Sequence, residues 1–124
     1  MKESPIFNKL FDFTAWVIPL TLKFPRQHRF VVAEALQRVT LGAHEAAIRA
    51  GHAKELAMIG QELDDVALHL ALIRFYLRLA LKMALITVKQ HEFASECLAE
   101  IGRLLEGWKR VNATKVVVSG VATG

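Results

Sequence analysis

The chain has 124 residues, 53% of them apolar, with 16 Lys and Arg against 12 Asp and Glu, a formal charge of +4 and one cysteine. That length makes one domain with a real core and excludes two, and a lone Cys97 excludes an internal disulfide and fits a reducing compartment. A mean hydropathy of +0.30 is high for a small soluble monomer. Arg74, Arg78, Lys82 and Lys89 interrupt the greasiest stretch, so no uncharged apolar run reaches the roughly 18 residues of a membrane helix. Glu3, Asn8, Lys9 and Asp12 fall where the apolar run of a signal peptide should begin. The expectation is a cytoplasmic protein that covers its surplus apolar surface with copies of itself.

Ser4-Pro5 reads as a helix start, a capping hydroxyl followed by proline at the first helical position. Phe7, Leu10, Thr14, Val17, Thr21 and Phe24 form the seam of this first helix, and Pro19 inside it should bend it by removing one backbone bond. Pro25 breaks the pattern. A second helix over 27–50 turns Val32, Leu36, Val39, Ala43, Ala46 and Ala50 inward, its alanines and Gly42 allowing close approach of a neighbour, and Gly51 is a stop signal.

The third helix, 56–85, organises the rest. Leu56, Ile59, Leu63, Val66, Leu70, Ile73, Leu77, Ala80 and Ala84 recur at alternating steps of three and four, the seam of a packed helix. Leu68, Leu72, Phe75, Leu79 and Met83 make a second apolar row well round the helix from the first, with Tyr76 beside it. One chain alone cannot cover both rows, so Leu68, Leu72, Phe75, Tyr76, Leu79 and Met83 are the expected oligomer interface. Arg74, Arg78 and Lys82, four residues apart, form a cationic stripe between the rows.

A turn over 86–89 carries neither Gly nor Pro. The fourth helix, 90–112, places Ala94, Cys97, Ile101, Leu104, Trp108 and Val111 on its seam, with Leu98 and Leu105 flanking. From Ala113 the chain turns β-branched and then small, so 113–124 is expected as a flexible tail or an edge that borrows a partner, and 1–112 as the folded unit. Four amphipathic helices with short connectors predict an all-α, up-down-up-down four-helix bundle.

Catalytic chemistry finds little footing. No Glu-x-x-His pair of a di-iron bundle occurs. Glu62, Asp65 and His69 share a face, but such spacing is the ordinary pattern of a surface salt bridge. Cys97 sits on an apolar seam, where a thiol behaves as a small hydrophobe. The expectation is a non-enzyme with no metal and no cofactor. The basic residues are more informative. Arg26 and Arg29 open the second helix, Arg38 follows, Arg74, Arg78 and Lys82 stripe the third, and Lys109 with Arg110 close the fourth. A guanidinium fork matches phosphate, and charges four apart can track a backbone. A solvated face that meets an acidic protein, in an oligomeric scaffold with no nucleic acid, is the competing reading. Glu55, Glu62, Asp64 and Asp65 dilute the positive field of the third helix.

Three segments together carry a family resemblance: Phe24-Pro25-Arg26-Gln27-His28-Arg29, Leu72-Ile73-Arg74-Phe75-Tyr76-Leu77-Arg78, and Glu100-Ile101-Gly102-Arg103-Leu104-Leu105-Glu106-Gly107-Trp108. Over residues 6–112 the chain resembles the small bacterial four-helix-bundle proteins that include the accessory variability determinant (Avd) of diversity-generating retroelements, relatives of the proteins encoded in 23S ribosomal RNA intervening sequences. Pro19 matches a proline in the first helix of the accessory proteins. The resemblance implies a homopentameric, barrel-like ring with a basic surface that binds RNA or DNA with little sequence preference and docks a reverse transcriptase. By motif, Arg74 and Arg78 lead as binding residues, with Arg26 and Arg29 behind them.

Overall fold

In the computed structural model, described over residues 4–123 (side chains over 4–120), the chain forms four long helices. α1 spans Pro5–Leu22, α2 Glu34–His52, α3 Leu56–Lys82 and α4 Val88–Thr123. Ahead of α2 lie one 3-10 turn, Arg26–His28, and a π-helical turn, Arg29–Ala33. Among the described residues each helix packs on its chain neighbours, α4 also packs on α1, and neither diagonal pair touches. The pairings Gln37 to Thr21, Arg49 to Glu62, Asn112 to the Leu56 carbonyl, and Phe7 to Trp108 with Trp16 to Phe93 run antiparallel at every interface. This is the up-down-up-down bundle that the spacing predicts.

The core is read almost directly from the seams. Leu10, Val17, Thr21 and Phe24 of the first segment are buried, all six inward positions of the second helix are buried, and Leu63 through Ala80 on the third are 2% exposed or less. At the start of α1, Ile6 and Phe13 are buried where the seam names Phe7 and Thr14, which are half-covered. Ser4 takes the extended cap conformation but its hydroxyl makes no capping bond, so Pro5 and the Phe7 amide on the Ser4 carbonyl set that start instead. α1 continues through Pro19, whose ring faces solvent.

Two expectations change at α3 and α4. α3 stops at Lys82, three residues early, because Ala84 adopts a left-handed φ of 58°. The Leu85 amide then reaches the Ala80 carbonyl at 2.8 Å and the Ala84 amide the Leu81 carbonyl at 3.0 Å, the paired bonds of a Schellman stop with alanine in the usual glycine place. α4 opens with a reciprocal cap: the Gln90 amide donates to the Thr87 hydroxyl at 3.1 Å, and the Thr87 amide donates to Gln90 Oε1 at 2.9 Å. The buried line of α4 is Ala94, Leu98, Ile101, Leu105 and Asn112, while Cys97, Leu104 and Trp108 are half-covered and Val111 is 53% exposed. Ala94 and Ile101 keep their expected places, and the seam is turned by about half a residue's 100° so that the flanking Leu98 and Leu105 replace Cys97 and Leu104. At Asn112 the backbone does not change character: the helix continues over 113–123, and what ends there is burial, with Val116, Val117 and Val118 all exposed.

Candidate nucleic-acid interface

The cationic stripe of α3 divides. Four residues advance a helix by 400°, so each step of four drifts about 40° round the axis, and Lys82 ends about 80° from Arg74. Arg74 turns toward α4, where its Nη2 donates to the Leu98 carbonyl at 3.3 Å. There it lines a cleft of about 620 Å³ between α3 and α4, across from Arg103, Glu106 and Arg110 on α4, over a floor that includes Ala67, Leu70, Ala99 and Gly102. Arg78 and Lys82 line a different recess of about 610 Å³ with Phe75, Leu79 and Leu81.

The other basic positions are scattered. Arg26 and Arg29 are exposed in the short turns before α2, at the end of the bundle where α3 finishes. Arg38 is exposed on α2, which does not touch α4. Lys109 is engaged, its Nζ 3.4 Å from Asp64 and 4.0 Å from Glu106. The structure thus joins Arg74 with Arg110, keeps Arg78 with Lys82, and adds Arg103. The sequence reading missed Arg103. Its signal was available: it lies seven residues, two turns, before Arg110 and next to Gly102, a position with no side chain to obstruct the cleft.

The acids of the neighbourhood are largely occupied elsewhere. Arg49 holds Glu62 and Asp65 at 3.1 Å each, and Lys9 holds Glu100 at 3.4 Å. The hydrogen bond that Arg49 donates to the Glu62 carboxylate raises the Arg49 pKa above its ordinary value. Among the described residues, Arg74, Arg78, Lys82, Arg103 and Arg110 have no carboxylate within 4.0 Å. Of the acids expected to dilute the α3 field, Glu62 and Asp65 are held by Arg49 and Asp64 by Lys109, while Glu55 lies exposed ahead of the helix.

The expected interface row is split by burial. Leu68, Phe75 and Met83 are 56%, 57% and 36% exposed, whereas Leu72, Tyr76 and Leu79 are partly covered by their own chain's core. Phe75 leans edge-on against Tyr76 with ring centroids 5.0 Å apart. A second apolar patch lies across α1 and α2, where Phe11 meets the His44 ring and Leu41 and Ile48 lie exposed to either side.

The Glu62, Asp65 and His69 group is an ion-pair network: Arg49 occupies both carboxylates, and His69 Nδ1 lies 2.8 Å from the Asp65 carbonyl. Among the described residues no three metal donors converge. Cys97 is half-covered, and burial, followed by Glu100 and Glu96, pushes its thiol up from its ordinary pKa. Such a thiol stays protonated and is a poor nucleophile.

No curated protein matches the chain. The crystal structure of a Bacteroides thetaiotaomicron protein of unknown function from the S23 ribosomal protein family superposes with a TM-score of 0.80 at 21% identity, covering 89% of this chain and 99% of that one. That likeness shows a shared fold. The bAvd-like family matches residues 6–112, from the first turn of α1 to the last buried side chain of α4. The chain belongs to the bAvd-like family.

Proposed function

We propose that this protein is a non-enzymatic nucleic-acid-binding accessory protein that works as a closed homo-oligomeric ring, a pentamer by its family resemblance, and presents its basic surface to RNA or DNA. The observation that carries this reading is the ion pairing. Glu62, Asp64 and Asp65 on α3 are held by Arg49 and Lys109, and among the described residues Arg74, Arg78, Lys82, Arg103 and Arg110 have no carboxylate within 4.0 Å, which leaves their charge to a partner. Unpaired guanidiniums on rigid helices suit phosphate, and none of them is placed to read bases, so binding is electrostatic and indifferent to sequence. The ring is supported by two separate exposed apolar patches, one on α3 and one across α1 and α2. Unlike patches that meet head to tail close a ring when the rotation allows it. A reverse transcriptase is the protein partner that this family membership favours, docked on the ring rather than on a single subunit.

The test is anisotropy of a labelled oligonucleotide titrated with protein between about 50 and 200 mM salt, the range over which several phosphate contacts weaken binding by orders of magnitude. Arg74→Ala with Arg78→Ala is expected to weaken binding and flatten the salt dependence while the oligomer stays assembled. A protein that ignores both oligonucleotide and heparin would favour the scaffold reading, in which the same cations meet an acidic protein.

A further inference from the structure

Arg74 approaches the α3–α4 cleft from one wall, and Arg103 and Arg110 from the other. Arg103 and Arg110 lie seven residues apart on α4, about 10 Å along its axis. The Arg74 side chain is exposed, and its guanidinium is anchored at the seam between the helices by its bond to the Leu98 carbonyl. Among the described residues no carboxylate lies within 4.0 Å of its other donors. The floor of Ala67, Ala99 and Gly102 is small and adds no aromatic stacking surface, the trough is open to solvent, and the Glu106 carboxylate on its α4 wall sits 4.0 Å from Lys109 Nζ.

From these three placements we propose that the cleft is the phosphate-binding site of the molecule and that it takes a single strand, not a duplex. The proposal deepens the nucleic-acid reading above and names Arg103 and Arg110 as its binding residues together with Arg74. Neighbouring helices pack with axes about 8–10 Å apart, and a cleft between two of them is narrower than a double helix, whose major groove alone is about 12 Å wide. A duplex can touch only the rim. A single strand can lower its phosphates between the walls, where cations from both sides reach them. With no aromatic platform in the cleft, the strand is held by charge, and purines and pyrimidines bind alike.

The experiment compares a labelled single-stranded 15-mer, its duplex and inorganic tripolyphosphate on the full chain and on Arg103→Gln/Arg110→Gln, with Lys23→Gln/Lys54→Gln, two exposed lysines outside the cleft, as a control. Circular dichroism confirms that each variant folds. The single strand is expected to bind about tenfold tighter than the duplex. The cleft variant should lower the slope of log affinity against log salt by about 1.4, from two lost contacts at about 0.7 each on a single strand, and the control should not. Equal affinity for strand and duplex, or an unchanged slope in the cleft variant, overturns the proposal while leaving the nucleic-acid reading intact. Tripolyphosphate binding that depends on Arg103 and Arg110, with no binding of either oligonucleotide, keeps the cleft as a phosphate site and removes the strand and the nucleic-acid reading together.

Discussion

Single residues decide where this chain turns and how closely its helices meet. Ala84 takes the left-handed conformation that L side chains avoid at a cost of about 1–2 kcal/mol. Ala84→Gly removes that strain with no packing lost, since Ala84 is exposed. It is expected to stabilise the protein by about 1 kcal/mol, a rise of roughly 3–5 °C in Tm for a chain of this size; a melt that does not move would show the strain to be absent in solution. Gly42 works in the opposite sense. A Cβ there would lie 2.5 Å from both Cδ2 and Nε2 of His69, whose ring is held by its Nδ1 against the Asp65 carbonyl. Gly42→Ala gains about 1 kcal/mol of helix propensity and loses about 1–3 kcal/mol to overpacking. The net is expected to be destabilising in urea unfolding. The same change made on a His69→Ala background should become neutral or favourable, which separates the clash from propensity.

At the level of the element, α3 shows what periodicity can and cannot tell. The six seam positions from Leu63 to Ala80 are all buried as spaced, because a step of three or four selects one face whatever the neighbour is. The second row was legible as apolar but not as exposed. Its members lie at different angles, so Leu72 and Leu79 tuck under the core edge while Leu68 and Phe75 stand clear. Phe75→Asp is therefore expected to leave helicity and melting almost unchanged while shrinking the oligomer. Leu72→Asp should instead cost about 2 kcal/mol or more by burying a carboxylate against the core. If Phe75→Asp unfolds the chain, or leaves its mass unaltered, the exposed half of the row is not a contact between copies.

The α3–α4 turn was half readable. Thr87-x-x-Gln90 is a capping pair visible in the sequence, whereas a left-handed alanine leaves no signature, since its conformation is imposed by the bonds on either side. The cleft was legible in part for a related reason. Arg74 and Arg110 are noticed as charges, but that they face each other with Arg103 depends on the register of α4 against α3. The Asn112 bond to the Leu56 carbonyl and the Lys109–Asp64 pair show that register in space.

For the molecule as a whole, a chain of +4 is weakly basic, and the proposed ring of five would multiply that field along one shared surface. Light scattering is expected to report about five times the 13.9 kDa chain mass, and a lone chain at working concentration would remove the ring. Among the described residues no helix is long and apolar enough to cross a membrane.

The length of α4 has a practical corollary. Its 36 residues reach about 54 Å against about 27 Å for the 18 of α1, so the bundle ends in a spur. Val118 stands on that spur two turns past Arg110 and is 61% exposed. A dye or tether grafted there would ride outside both the core and the arginines, a handle by which the protein can be watched or immobilised while its working surface stays bare.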